Sequence, residues 1–309
     1  HLMSRACSTR ALPFSSAAAL ITLQRDGGRM IKRIVDVIAA GVVTAGGPFF
    51  RVVGNWPGNY PLYRKQADKM GVHWRSTHYY HPTYTDGDLP ADVTQVRDLP
   101  GLDLFEDDQL ALLNSFNVQD ELAKLTEPHA DPDLAFAYDN GQYNVGDADS
   151  LYAMLRTIKP KRIFEIGSGN SSRVAAKALA LNAAENADDA CRHVCIEPYE
   201  MPWLERLGPE ILRKRIEDVP LEMFDELEAG DILFVDSSHV IRPFGDVVVE
   251  FQSIIPRLKP GVIVHVHDIF TPRDYPEHWL RDERRLWNEQ YLMEAMLAHS
   301  PRYKTILAM

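Results

Sequence analysis

A carboxylate stands just ahead of a glycine-rich turn in the middle of this 309-residue chain. Glu165 lies in a short apolar run, and Gly167 and Gly169 follow it at the spacing of a tight turn that a ligand can approach closely. Residues 173–181 are rich in Ala and Leu and predict a helix. Strand, glycine turn and helix open a nucleotide-binding βαβ unit, although an ordinary strand-to-helix turn has the same pattern.

The charge of Glu165 indicates which nucleotide fits this turn. A dinucleotide places its pyrophosphate on the turn and the helix N-terminus, where a carboxylate would repel it, and Ser172 replaces the third glycine of the dinucleotide pattern. S-adenosylmethionine has no phosphate and carries a sulfonium and an ammonium group, which a carboxylate attracts. We therefore expect this cofactor, with contacts from the residues of the turn: Glu165, Gly167, Ser168, Gly169, Asn170 and Ser172.

Acids recur where the later predicted strands end. Glu197 ends the second strand and is expected to bind the ribose hydroxyls, while Glu217 or Asp218 follows the third strand and is expected to meet the adenine amine. Asp236 ends the fourth strand and is expected near the cofactor. Any one of these acids taken alone is more often a helix cap than a ligand contact, but the series favours the ligand-binding edge of an open α/β sheet.

Residues 138–309 resemble class I S-adenosylmethionine-dependent methyltransferases, especially bacterial enzymes that act on small molecules or glycans. The resemblance is carried by EIGSGNSS at 165–172, FVDSSH at 234–239, GD at 245–246, PRLKPG at 256–261, VHVHDIF at 264–270, YP at 275–276 and WNEQY at 287–291. A weaker likeness extends upstream through HYYHP at 78–82 and YDNG at 138–141. The resemblance implies an α/β fold with a Rossmann-like, doubly wound, mainly parallel seven-stranded sheet, and it implies little about the acceptor.

The hydrophobic pattern predicts the elements that position these residues. Strands are expected at 163–166, 192–198, 213–219, 231–239 and 262–268, with a last strand at 303–309. Helices are expected at 147–157, 173–181, 221–227, 246–258 and 283–299. Three regions follow from composition: a tag remnant or flexible N-terminus at 1–29, a mostly helical cap or lid domain at 30–134, and the methyltransferase domain at 135–309.

Two histidines at strand ends are the expected bases. Methyl transfer is an in-line displacement whose leaving group needs no acid, so the protein must align donor and acceptor and remove the acceptor's proton. His239 is the preferred base and His267 the alternative, with Asp236 beside them, although either histidine can serve only to hydrogen-bond loops.

A divalent metal is the other expected aid to catalysis. Asp236, His267 and Asp268 offer two carboxylates and an imidazole, a set that suits Mg²⁺ or another divalent ion. Some related sugar O-methyltransferases hold a metal here, but with an acid where this chain has His267. In the alternative, Asp236 binds the cofactor and Asp268 caps a loop.

The acceptor is expected to be a hydroxyl of a small molecule or glycan. Tyr79, Tyr80 and His81 in an aromatic segment, and Tyr275 after the fifth strand, are the expected pocket walls, because aromatic faces suit sugars and planar rings. An aromatic mini-core explains the first three equally well. N-methylation, an NAD-linked oxidoreductase on the same scaffold and a non-catalytic assembly partner remain the alternatives.

The charge and the cysteine content restrict which binding partners and which cellular compartment are expected. The chain has 33 Lys and Arg against 44 Asp and Glu, a formal net charge of −11, which argues against nucleic acid as a partner. Its three cysteines have no metal or redox spacing, so a cytoplasmic protein is expected. The apolar stretch at 34–50 contains Asp36 and several glycines, and we expect a packed helix there and no membrane partner. The sequence is also compatible with a homo-oligomer.

Overall fold

A computed structural model describes residues 27–308 of the chain, so most of the region predicted as a flexible N-terminus, residues 1–26, lies outside the described residues. The chain divides into two compact units, one ending at Thr85 and one beginning at Asp86. The first unit contains the helices α1 (Gly27–Asn55) and α2 (Pro61–Met70).

The second unit contains helices on both sides of one sheet. Its helices are α3 (Glu106–Ser115), α4 (Gln119–Leu122), α5 (Val145–Ile158), α6 (Asn170–Glu185), α7 (Pro202–Arg206), α8 (Asp246–Val249), α9 (Glu277–Arg281) and α10 (Glu289–His299). Its strands are β1 (Arg162–Ile166), β2 (Arg192–Ile196), β3 (Glu210–Leu212), β4 (Ile232–Val235) and β5 (Ile263–Val266). A π-helical stretch, Glu250–Ile254, and a 3₁₀ turn, Ile255–Arg257, continue α8.

The strands form a parallel sheet in the order β3-β2-β1-β4-β5. The chain starts at the central strand and moves outward first to one edge and then to the other, which is the doubly wound arrangement. Successive side chains of β1 enter cores on opposite faces: Ile163 packs with Leu151 and Ala175, whereas Phe164 packs with Phe224 and Phe251. The predicted Rossmann-like α/β architecture is confirmed.

Two predicted strands are absent from the described part of the sheet. The sheet has five strands rather than seven, and residues 303–308 form no strand because they run past α3, where Ala308 N donates to the side chain of Gln109 (2.7 Å). The third strand is Glu210–Leu212 rather than residues 213–219. Arg215 and Asp218 instead pair across a short turn (3.0 Å), which ends the extended backbone.

Residues 86–134 pack with the sheet domain instead of forming part of a separate cap. Leu125 is buried in the same core as Leu151 of α5. Glu121 of α4 accepts a hydrogen bond from Arg156 Nε (2.6 Å), also on α5. The division between the units therefore lies before residue 86 and not at 134.

Helix α1 is mostly exposed to solvent, although a packed helix was expected. Its stretch Met30–Asn55 has a mean hydropathy of 1.6 and is mostly exposed. By length and composition the helix could cross a membrane. At its C-terminal end Phe50 stacks on Trp74 with ring centroids 4.6 Å apart, so one side of the helix has a packing partner within the first unit.

Candidate functional site

The turns that follow the parallel strands meet at one edge of the sheet. They bring Gly167 after β1, Glu197 after β2, Asp236 after β4 and Asp268 after β5 to the carboxyl ends of the strands. The chain reverses its direction across the sheet between β1 and β4. Ligands of open α/β sheets bind at this edge and at this switch point.

The glycine turn is pressed against the end of β4. Gly167 has φ +80°, and a Cβ atom there would lie 1.8 Å from the carbonyl oxygen of Asp236. Asp236 N in turn donates to the carbonyl of Ile166 (2.8 Å). At Gly169 a Cβ would meet no atom within 4 Å, so the turn leaves open space there. The first glycine is needed for packing, and the second leaves room for a ligand.

Glu165 is fully buried and held by its neighbours. Its Oε2 accepts a hydrogen bond from Ser172 Oγ (2.7 Å) and lies 3.0 Å from His193 Nε2 and 3.3 Å from Cys195 Sγ. Burial, together with the charge of Glu165, raises the pKa of the Cys195 thiol well above its usual range. Glu165, His193 and Cys195 each offer one possible ligand atom, and these atoms lie within 4.8 Å of one another. In this structure the Cys195 thiol donates a hydrogen bond to Glu165.

Three buried polar atoms near the turn have no hydrogen-bond partner among the described residues. They are Glu165 Oε1, Ser168 Oγ and Tyr143 Oη. Burial, and then the charges of Asp147, Glu165 and Asp236, raise the pKa of Tyr143 well above its usual range, so its phenol remains a donor. Because an unpaired buried polar atom is costly, these three atoms are available to hydrogen-bond a polar ligand.

The side chains of two predicted cofactor-binding residues, Ser172 and Asn170, already make hydrogen bonds to residues in or beside the turn. Ser172 is buried, and its Oγ donates to Glu165 while accepting from Gly169 N (3.2 Å). Asn170 accepts a bond from Arg173 and lies 3.4 Å from Gln142 Oε1. Ser172 thus stabilises the turn, and the contact of either side chain with a cofactor stays a prediction.

The predicted ribose and adenine acids occupy the expected turns. Glu197 is buried, and its two oxygens accept from the backbone N–H groups of Ser168 (3.2 Å) and Tyr199 (2.8 Å). It therefore links the first two turns of the edge, and each oxygen keeps a lone pair for a hydroxyl. Glu217 accepts from Arg242 Nη2 (3.3 Å).

Asp236, His267 and Asp268 come together as predicted. Each offers one ligand atom, and these atoms lie within 4.8 Å of one another. His267 is buried, and its Nε2 lies 3.6 Å from Asp268 Oδ1. Burial raises the pKa of Asp268, and the nearby His267 and His239 partly offset this. The donor set fits a divalent cation.

His239 is held between carboxylates. Its Nδ1 lies 2.8 Å from Glu289 Oε2, and its Nε2 lies 3.2 Å from Asp236 Oδ1 and 3.7 Å from Asp268 Oδ2. Burial alone lowers the pKa of His239, but the hydrogen bonds to Asp236 and Glu289 outweigh it and raise the pKa to about 10. These contacts favour the protonated ring, and the role of His239 as the base stays a prediction.

Aromatic rings form a wall behind His239. Its ring lies 4.3 Å from that of Trp287, which in turn lies 6.1 Å from the ring of Tyr275. Tyr275 is buried, and its Oη accepts from Gln290 N (3.2 Å). Tyr275 thus supports the wall, and its predicted contact with the acceptor stays a prediction.

The other predicted acceptor residues belong to the first unit. Tyr79 and Tyr80 are largely exposed, and their rings lie 4.1 Å apart. His81 Nδ1 lies 2.8 Å from the carbonyl oxygen of Ser76. Their role in binding an acceptor stays a prediction.

Glu289 and Glu250 are buried acids of the site that the sequence reasoning missed. Glu289 orients His239 from the N-terminus of α10, fifty residues away in sequence. Glu250, in the π-helical stretch, accepts from Ser237 Oγ (3.1 Å), and burial followed by the charges of Glu289 and Asp246 raises its pKa well above the usual value. The WNEQY segment was the available signal for Glu289. For Glu250 the sequence gives no signal beyond an acid inside an apolar helix.

Comparison with known proteins agrees with this geometry. Residues 164–269 match the model of a family described as a methyltransferase domain. An uncharacterized protein of Archaeoglobus fulgidus is 30% identical to this chain over 138 residues. The alignment covers 43% of this chain and 61% of that protein, so the chain spans about three fifths of the length of the curated relative. The family match covers β1 through the turn after β5, the part of the fold that forms the edge described above.

Proposed function

We propose that this chain, which contains a class I S-adenosylmethionine-dependent methyltransferase domain, methylates a hydroxyl group of a small molecule or a glycan. One observation carries the proposal. The turn with open space and unpaired buried polar atoms lies directly against Asp236, and Asp236 belongs to the group of acid and imidazole donors. A donor site and an acceptor-activating site are thereby adjacent.

The residues of the turn fit S-adenosylmethionine. When bound, it supplies a methyl group on a sulfonium whose departing thioether needs no acid. Glu165 Oε1 is suited to the ammonium group, and Ser168 Oγ and Tyr143 Oη can donate to the carboxylate. Glu197 would accept from the ribose hydroxyls, and Glu217 from the adenine amine.

The donor set beside the turn fits a divalent cation. Asp236, His267 and Asp268 would hold it. A bound cation would lower the pKa of a hydroxyl group that it contacts, which favours the alkoxide needed for attack. The ring of His239, held by Glu289, lies immediately behind: its Nε2 is within hydrogen-bond distance of Asp236 (3.2 Å) and lies 3.7 Å from Asp268.

His267 is the residue that we expect to distinguish metal-assisted from metal-free transfer. As a ligand it cannot take a proton, and as a base it cannot bind the cation. His267 is held less closely by carboxylates than His239 is. Its nearest carboxylate oxygen lies 3.6 Å away, whereas His239 lies 2.8 Å and 3.2 Å from two carboxylates. Activity abolished by EDTA and restored by Mg²⁺ or Mn²⁺ would assign His267 as a ligand, and activity unaffected by EDTA would assign it as the base.

The sheet unit is too acidic for a nucleic-acid acceptor. From residue 86 onward the chain has 22 Lys and Arg against 41 Asp and Glu. A surface of this charge repels phosphate backbones, which supports a small, polar acceptor. Cys191 and Cys195 are free thiols, which supports a cytoplasmic location for this unit.

Isothermal titration tests the proposal. We expect S-adenosylmethionine and S-adenosylhomocysteine to bind and NADH not to bind. Glu197→Gln should weaken S-adenosylhomocysteine binding by about tenfold, because one charged hydrogen bond to the ribose contributes roughly 1.5–3 kcal/mol. Glu200→Gln, on an exposed residue of the same loop, is the matched control and should leave the affinity unchanged. Binding of NADH in place of S-adenosylhomocysteine would overturn the proposal.

A further inference from the structure

Helix α1 presents one continuous apolar face to solvent. Ile34, Ile38, Val42 and Phe49 recur at intervals of four, four and seven residues, which places them on one side of the helix. Their exposed fractions are 52%, 60%, 55% and 61%. Large apolar side chains this exposed, in one row, mark a surface that meets an apolar partner.

The opposite side of α1, here called the polar side, carries the charged residues of the helix beside the exposed Val37 and Val43, and it is partly packed. Lys32, Arg33, Asp36, Thr44 and Arg51 fall on that side by helical spacing. At its C-terminal end, the same side meets the segment that follows α2. There a Cβ on the glycine at position 54 would lie 2.1 Å from a backbone carbonyl oxygen of that segment. The packing inside the first unit therefore uses the polar side and leaves the apolar face exposed.

Charge separates this unit sharply from the rest of the protein. Residues 27–85 contain eight Lys and Arg but only two acids, a net formal charge of +6, in a chain whose total is −11. Exposed aromatic residues follow the helix: Trp56 is 67% exposed and Tyr60 37%. Lys and Arg favour anionic lipid headgroups, and Trp and Tyr favour the boundary between headgroups and acyl chains.

We propose that α1 lies in the surface of an anionic phospholipid bilayer, with its apolar face among the acyl chains and its basic residues at the headgroups. A helix that crossed the bilayer would bury the polar side with Asp36 in hydrocarbon, whereas a helix lying in the surface keeps that side wet. The amphipathic spacing thus favours the surface position, although the helix is long enough to cross. This inference is independent of the proposed methyl transfer.

Vesicle flotation of the whole protein tests the inference. We expect it to float with vesicles of phosphatidylcholine mixed with phosphatidylglycerol, and to float less with phosphatidylcholine alone or at high salt. The double variant Ile38→Gln/Phe49→Gln should bind the mixed vesicles about tenfold less or weaker still, because two apolar side chains no longer enter the bilayer. Thr44→Gln makes the same kind of change on the polar side and should bind within about twofold of the wild type.

A second double variant measures the contribution of the basic residues to vesicle binding. Lys32→Gln/Arg33→Gln should weaken binding to the mixed vesicles about thirtyfold, and should leave binding to phosphatidylcholine unchanged, since each of the two basic residues near an anionic surface contributes about 1 kcal/mol. Circular dichroism and S-adenosylhomocysteine titration of each variant report whether the protein remains folded.

Four results would overturn the inference. The first two are failure of the wild type to float with the mixed vesicles, and flotation of Ile38→Gln/Phe49→Gln equal to that of the wild type. The third is resistance of the bound protein to extraction by alkaline carbonate, which would indicate a crossing helix. The fourth is a wild-type dimer that the double variant converts to monomer without any vesicle binding. The last would assign the apolar face to a second copy of the chain.

Discussion

The two glycines of the turn after β1 are expected to have different roles, Gly167 in stability and Gly169 in cofactor binding. Replacing each with alanine separates the two effects. At Gly167 the backbone has φ +80°, which costs an L-residue about 1–2 kcal/mol. The new Cβ would also lie 1.8 Å from the Asp236 carbonyl oxygen, so β1 and β4 must move apart at their ends, and overpacking of this kind costs about 1–3 kcal/mol. Gly167→Ala should therefore destabilise the sheet domain by about 3 kcal/mol.

Gly169→Ala is the matched control for stability and the direct test for binding. Its φ of −176° suits any residue, and its Cβ would meet no atom within 4 Å, so unfolding free energy should change by less than about 1 kcal/mol. The added methyl group would instead occupy the open space where we expect the cofactor. S-adenosylhomocysteine affinity should fall about tenfold or more in this variant.

Urea unfolding followed by circular dichroism measures the first effect, and isothermal titration measures the second. The reasoning fails if Gly167→Ala unfolds within 1 kcal/mol of the wild type, because the close approach of the two strand ends would then be easily relieved. It also fails if Gly169→Ala binds S-adenosylhomocysteine normally, because the open space would then not belong to the cofactor.

Three further predictions follow from the packing and the charges of the sheet domain. Leu125→Ala should destabilise this domain by about 2–5 kcal/mol in urea unfolding, whereas Leu110→Ala, at an exposed position, should have little effect; a small effect at Leu125 would contradict its place in the domain core. The hydrogen bond from Arg156 lowers the pKa of Glu121, more than burial raises it, so this carboxylate contributes stability above its unfolded pKa that is lost as pH falls through the folded pKa. Glu121→Gln should accordingly cost about 1–2 kcal/mol in urea unfolding at pH 7, a difference that shrinks below about pH 4, and a pH-independent cost would refute the charge argument. Asp268→Asn should weaken Mn²⁺ binding, measured by titration in the presence of S-adenosylhomocysteine, by about tenfold or more, and equal binding would exclude it as a ligand.

The strands that were predicted from sequence are those with strong local signals. β1 and β4 are short apolar runs that end at a glycine or an acid, and both lie where the pattern placed them. β3 is only three residues long, too short for a periodic pattern, and the charged residues after it were mistaken for the strand. Local pattern also missed that Leu125 packs with α5, because a contact between distant segments leaves no periodicity.

For the candidate site, too, the sequence predicted features that depend on local pattern and missed those that depend on distant contacts. The residue types at the strand ends were readable because a parallel sheet collects the carboxyl ends of its strands at one edge. The hydrogen-bond partners and orientation of each side chain could not be predicted, because they depend on residues far away in sequence. Glu289 lies fifty residues from His239 and yet does most to fix its ring, and the bond from Ser172 to Glu165 exists only once the turn has formed.

The distribution of acids around His239 explains why this edge should attract a cation. Asp236, Asp268 and Glu289 all lie within 4 Å of the single ring of His239, so these three carboxylates outnumber the one positive charge that the ring can carry. Burial makes such an excess costly, and the raised pKa values of Asp268 and Glu289 express that cost. A positively charged ligand at the open side of Asp236 and Asp268 would relieve it. The sulfonium of the cofactor and a divalent cation both meet this need. Because both are positive, the first to bind reduces the excess negative charge that attracts the second.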